Sequence, residues 1–224
     1  MSQYLYLFSW FPLIGYFLSL LVPRRQEGAI SLVAIATAGI HLAGILAFTT
    51  VWAVTDRAAL TESHVLLFEK DNIRISVDFY FDWNTVAFAF VGSFLSFLVT
   101  VYSRYFIHRE GGFKRFFSTI ILFFTGYNIL IFSGNFETMF IGWELLGVCT
   151  FLLVAFYRER YLPVKNSMKV ISIYRLGDVC LMLAMWMGHH LWHENVTFEK
   201  LNDGVSVAAL LQDHYWDVVF IAFM

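Results

Sequence analysis

The chain has 224 residues, of which 59% are hydrophobic, 19% aromatic and only 14% charged. With a mean hydropathy of +0.66, this excludes an ordinary soluble domain, where about a quarter of residues are charged. The net charge of -2 provides neither a nucleic-acid footprint nor a polybasic surface anchor.

A bilayer core about 30 Å thick needs roughly 20 apolar residues per helix. Six stretches of the sequence meet that demand: Tyr4 to Val22, Ala29 to Val54, Asn84 to Tyr102, Phe116 to Ser133, Thr138 to Tyr157 and Val170 to Trp192. A seventh starts at Val218 and is interrupted at Met224, so the chain is expected to stop inside a helix. The expected fold is an all-α polytopic membrane protein with six complete transmembrane helices and the start of a seventh, residues 1–224 forming one transmembrane domain. No basic n-region or cleavage site precedes the first run, which is read as a retained helix, and Pro12 should bend it. Between the second and third spans, residues 55–83 form the longest loop. There Ile73, Ile75, Val77, Phe79 and Phe81 alternate with Arg74, Ser76, Asp78 and Tyr80, after an apolar stretch Val65 to Phe68 and a polar turn Glu69-Lys70-Asp71-Asn72. That pattern reads as a β-hairpin. A short amphipathic piece near Val205 to Leu211 is expected in the last loop, to which no chemistry is assigned.

Sorting the loops alternately puts Arg24, Arg25, Arg104, Arg109, Lys114, Arg115, Arg158, Arg160, Lys165 and Lys169 on one side. Arg57, Lys70, Arg74 and Lys200 fall on the other. The asymmetry places the first set in the cytoplasm, with the N-terminus and the hairpin outside. Trp52, Trp83, Trp192 and Trp216 all fall at the outer boundary, as an aromatic belt would.

Three charged residues remain within the apolar spans: Glu144 in the fifth, Arg175 and Asp178 in the sixth. A charge at a helix centre costs about 2.5–3.5 kcal/mol on insertion scales, so each should face the protein interior and have a partner. Arg175 and Asp178 share a helix face and can pair, which could be no more than a device that neutralises the helix. Glu144 has no basic residue within a turn on its own helix, so its partner must come from another. A carboxylate held between desolvation and a neighbouring cation is suited to binding and releasing a proton, although a merely hydrogen-bonded Glu is the plainer alternative. His189, His190 and His193 form an HHxxH pattern that resembles metal-ligand spacing. Their position at an interface beside Trp192 and Glu194 favours polar anchoring, and no metal or other cofactor is expected. His41, alone in the second span, is read as a hydrogen-bonded interior histidine ahead of a proton carrier or a haem ligand. Asn128 is expected to supply an interhelical hydrogen bond. Cys149 and Cys180 lie far apart in apolar runs and read as small core residues, without disulfide or zinc spacing.

The segments YSRYFIHREGGFKRFF (102–117), SGNFETMFIGWELLGVCTFLLVAFY (133–157) and YRLGDV (174–179) resemble the large antiporter-like membrane subunit of complex I, of the subunit L or chain 5 type, and its Mrp antiporter relatives. The resemblance implies that the Glu of the GWE motif, here Glu144, belongs to a proton pathway. The Arg and Asp of the R-x-GD motif fall on Arg175 and Asp178. It also implies an outer N-terminus, a hairpin after the second helix, and a multi-pass protein of the bacterial cytoplasmic membrane. The implied partners are other membrane subunits of a complex I-like assembly, the lipid bilayer and protons, with sodium or bicarbonate as alternative coupled species. The lysine against which the family's Glu works lies in a seventh helix, beyond this sequence. Related readings are a Mrp-type antiporter, an inorganic-carbon uptake complex and a scaffold subunit that moves no ions.

Overall fold

The computed structural model describes residues 4–55, 57–70, 73–192, 196–202, 208 and 212–223. Its elements are α1 (Leu5–Leu21), α2 (Glu27–Thr55), β1 (Leu60–Lys70), β2 (Ile73–Phe81), α3 (Trp83–Phe106), α4 (Phe113–Ile131), α5 (Phe136–Val154), α6 (Tyr161–Trp192), α7 (Phe198–Asn202) and α8 (Tyr215–Phe223). The protein is mostly helical. Among the described residues, α2, α3, α5 and α6 are long and apolar enough to cross a membrane, and α1 is a shorter apolar helix. Pro12 lies buried inside α1, which continues through it. The helices run up and down between two ends. One is marked by a buried cluster of Leu5, Ile45, Trp52, Val77, Phe79, Phe81, Ala89 and Phe132, and the other by Ile30, Ala34, Ile107, Phe113, Phe117 and Ile121.

The strands pair antiparallel, with Leu60 opposite Phe81 and Lys70 opposite Ile73, and the register shifts at two points along β1. The hairpin thus forms where the alternating pattern places it, and the turn at Asp71 and Asn72 lies outside the described residues. Alternation leads one to expect polar residues of β2 to face water. Instead both faces are covered: Val77, Phe79 and Phe81 enter the apolar cluster, while Ser76 and Asp78 are also buried. The reason is the loop between α4 and α5, which adds itself to the edge of β2. The Tyr80 N–H donates to the Phe132 carbonyl at 2.9 Å and the Gly134 N–H to the Asp78 carbonyl at 2.7 Å. Asn135 then caps α5 by accepting from the Thr138 N–H at 2.8 Å, and donates to the Ser76 carbonyl and to Asp78 Oδ2 at 2.8 and 2.9 Å. Thr138 Oγ1 accepts the Asp78 N–H at 3.0 Å. A helix start and a strand edge thereby satisfy each other's backbone groups, which is what burial of both requires.

Several boundaries differ from the sequence expectation. Helix α6 starts at Tyr161 instead of Val170. Its early Pro163 is no obstacle, because first-turn N–H groups have no intrahelical partner to lose. The amphipathic piece near Val205 to Leu211 falls almost wholly outside the described residues, and the helix expected from Val218 starts at Tyr215. Trp52 is not part of a belt: it is buried between Phe81 and Trp83, with its indole N–H on the Ala58 carbonyl at 2.8 Å. Trp83 and Trp216 are exposed, and the Trp192 side chain lies outside the description.

Helices α4 and α5 approach most closely at two glycines. A methyl group on Gly142 would sit 2.5 Å from the Leu130 nitrogen and 2.8 Å from the Gly126 oxygen, all of it backbone that cannot swing aside. Gly142→Ala is therefore expected to push the two helices apart and destabilise the fold by about 1–3 kcal/mol. Gly28→Ala, where nothing lies within 4 Å, should be neutral or slightly stabilising. Thermal unfolding of the detergent-solubilised variants distinguishes the two.

Candidate functional site

Helices α5 and α6 pack side by side, and the three intramembrane charges of the sequence meet on their seam. Arg175 Nη1 lies 2.9 and 3.0 Å from the two oxygens of Glu144 and 2.9 Å from Asp178 Oδ2. One guanidinium nitrogen is thus shared by a carboxylate from the neighbouring helix and another three residues on along its own. Asp178 is further held by the Trp143 indole N–H, which donates to Oδ1 at 2.8 Å. Trp143 in turn packs against Tyr174, with ring centroids 5.4 Å apart. Gly147 leaves the space Tyr174 occupies, since a methyl group there would meet that ring at 2.9 Å.

The environments differ along the group. The Asp178 side chain is 5% exposed, Glu144 28% and Arg175 53%. The expectation that Glu144 takes its partner from another helix and that Arg175 pairs with Asp178 agrees with this geometry, which joins both pairs into one. An interior position holds for Asp178 only. Arg175 lies on a face of α6 where Ile173, Leu176 and Val179 are also exposed in this chain.

Two turns before Glu144, a second pair bridges the same helices. His189 Nε2 and Glu137 Oε1 are 2.6 Å apart, with side chains 20% and 11% exposed. Sequence reading missed Glu137 because the span was started one residue later, at Thr138. The signal was its seven-residue spacing from Glu144, which puts both carboxylates on one face of α5. Trp143 was missed as well, being read only as part of a motif. In the histidine pattern, His189 is taken by Glu137 and His190 stacks on Trp186, while His193 lies outside the described residues. Among the described residues, no cluster of three potential metal ligands occurs.

The remaining polar candidates are structural. His41 is buried, its ring nitrogens 3.0 Å from Ser93 Oγ and 3.0 Å from the Phe8 carbonyl, joining α1, α2 and α3. Asn128 does not bond between helices: its amide donates to the Phe124 carbonyl of its own helix at 2.7 Å. Cys149 is buried and Cys180 half-buried, both as free thiols.

Long apolar helices, with their few charges paired on the seam between two of them, define an integral membrane protein. Residues 68–117 match the family described as NADH-ubiquinone oxidoreductase (complex I), chain 5 N-terminus, and residues 133–224 that of the NADH:quinone oxidoreductase/Mrp antiporter transmembrane region. The chain belongs to this family of antiporter-like membrane subunits. It is 31% identical over 150 residues to NADH-quinone oxidoreductase subunit L of Neisseria meningitidis serogroup B, a match covering 66% of this chain and 22% of the relative. To subunit L of Escherichia coli K12 it is 29% identical over 184 residues, 79% of this chain and 29% of that one. The chain therefore spans less than a third of these relatives. Its fold is similar to a chain in the structure of the membrane-bound sulfane sulfur reductase, an archaeal respiratory membrane complex. The TM-score is 0.70 at 16% identity, over 86% of this chain and 38% of that one.

The geometry has a direct consequence for stability. Asp178→Asn retains an acceptor for the Trp143 indole, whereas Asp178→Leu leaves that N–H unpaired. The leucine variant should be less stable than the asparagine variant by about 1–3 kcal/mol, the range for leaving a buried donor unpaired. Comparative thermal unfolding of the two purified variants measures the difference.

Proposed function

We propose that the chain acts within a proton-translocating antiporter-like subunit of a complex I-type NADH-quinone oxidoreductase, with Glu144, Arg175 and Asp178 in the proton pathway. The observation that carries the reading is the single Arg175 nitrogen shared between two carboxylates. With all three groups ionised the cluster has a charge of minus one, and one added proton makes it neutral. Low-dielectric surroundings penalise the unbalanced form, so the cluster has use for either a proton or a further cation. When Glu144 takes the proton, Arg175 pairs with Asp178 alone, and when Glu144 gives it up the shared arrangement returns. The two states differ in a short movement of one guanidinium, which lets a charge change elsewhere in an assembly set the direction of transfer. The family relationship supports protons as the ion and other membrane subunits as partners and source of energy. Sodium or bicarbonate coupling would use the same Glu144.

In this reading, six helices span the bacterial cytoplasmic membrane as one transmembrane domain and α8 begins a seventh. The hairpin and the N-terminus lie outside, while the basic loops at the other end face the cytoplasm. Lys114, which donates to the Leu20 and Val22 carbonyls at 2.7 Å each, and Arg115, which donates to the Phe156 carbonyl at 2.7 Å, would close helix ends on that cytoplasmic side.

Glu144→Gln in the full-length polypeptide, assembled with its natural partners, should abolish substrate-driven proton accumulation in membrane vesicles while leaving the amount of assembled complex unchanged. Retained pumping would assign the chain a scaffold role instead.

A further inference from the structure

We propose that Glu137 and His189 form a second proton-holding pair on the α5/α6 seam, which exchanges its proton with the compartment on the hairpin side. The inference rests on the transport reading above and extends the pathway from Glu144, Arg175 and Asp178 toward the outer surface.

Three observations carry it. The pair bridges the same two helices as the Glu144 cluster: Glu137 precedes Glu144 by two turns of α5, about 10 Å of rise, and His189 follows Asp178 by three turns of α6. Its contact, at 2.6 Å, joins groups of opposite proton preference whose side chains are only 11% and 20% exposed. Each partner also keeps a buried atom, Glu137 Oε2 and His189 Nδ1, without a hydrogen-bond partner among the described residues. The contact uses only Nε2 of the imidazole, so a proton can be taken up or released at Nδ1 while Nε2 still holds the carboxylate. The pair then alternates between neutral, with imidazolium against carboxylate, and minus one, with imidazole against carboxylate. One proton enters or leaves and no other reactant takes part.

Other ionisable groups lie at this end among the described residues. Asp78 of β2 accepts from Ser76 and Asn135, Glu199 of α7 accepts from Thr61 of β1, and His190 stacks on Trp186. Asp82, which accepts from Thr85 at the start of α3, Glu62 of β1 and Lys200 of α7 are also at this end. The elements are drawn together here by the Phe198 N–H on the Gly134 carbonyl at 2.9 Å and by the packing of Phe136 on Phe198.

The test uses the full-length polypeptide in its parent assembly, in inverted vesicles whose lumenal pH is set during preparation. His189→Lys keeps a cation for Glu137, and with it any docking role, but holds its proton through the neutral range. Proton accumulation should fall severalfold, and its dependence on lumenal pH should flatten, at normal levels of assembled complex. If that variant does not assemble, Glu137→Gln, which retains an acceptor for the imidazole, carries the same expectation. Wild-type accumulation and an unchanged pH profile in these variants, alongside loss of pumping in Glu144→Gln, would overturn the second pair while leaving the transport reading intact. Normal pumping in Glu144→Gln as well would overturn both.

Discussion

A polar or charged group inside an apolar bundle is costly unless it is partnered, and lipid supplies no partner. This constraint explains where the chain is tightly specified. At the hairpin end it produces the knot of Asp78, Asn135, Thr138 and Ser76, in which a strand edge and a helix start meet each other's needs. The knot fixes the first turn of α5 against β2. Since Glu137 belongs to that turn and Glu144 lies two turns further, the placement of both carboxylates follows from hydrogen bonds made outside the apolar core.

The same constraint shapes the seam itself. Helix α5 is seated on α4 through backbone approach at Gly126 and Gly142, so the faces bearing Trp143 and Glu144 are presented to α6 with little freedom to rotate. Helix α6 lacks that anchoring and carries an exposed row of Ile173, Leu176 and Val179 beside the half-exposed Arg175. The carboxylate-bearing helix is thus seated on backbone contacts, whereas the cation of the seam is carried by a long side chain that is half exposed in this chain. Its guanidinium reaches both acceptors at once, Glu144 across the seam and Asp178 along its own helix. Asp178, buried and tied to Trp143, is the more enclosed of the two acceptors.

Much of this was legible in the sequence because the governing signals are strong and local. Long apolar runs marked the helices, and period-two alternation marked the hairpin. The insertion cost of charge singled out Glu144, Arg175 and Asp178, and the absence of a basic neighbour on α5 required a partner from elsewhere. Interactions between distant segments were not legible. Trp52 is a boundary residue by position yet is buried by Phe81 and Trp83, and nothing near it in sequence announces the strand that covers it. The Asn128 amide N–H bonds on its own helix because a carbonyl four residues back is within its reach, while its Oδ1 has no partner among the described residues.

Glu137 shows most clearly why residue-level chemistry escapes a reading based on spans. In sequence it is a solvated acid just before an apolar run, and at the first turn of a helix a carboxylate is favoured by the backbone dipole whatever else it does. Only the return of α6, which brings His189 to within 2.6 Å, and the cover of Phe198 over Phe136, turn that helix-start acid into a nearly enclosed partner of an imidazole. The difference between a solvated helix-start acid and a partnered one therefore lies in contacts among α5, α6 and α7, and no short window along the chain contains all of them.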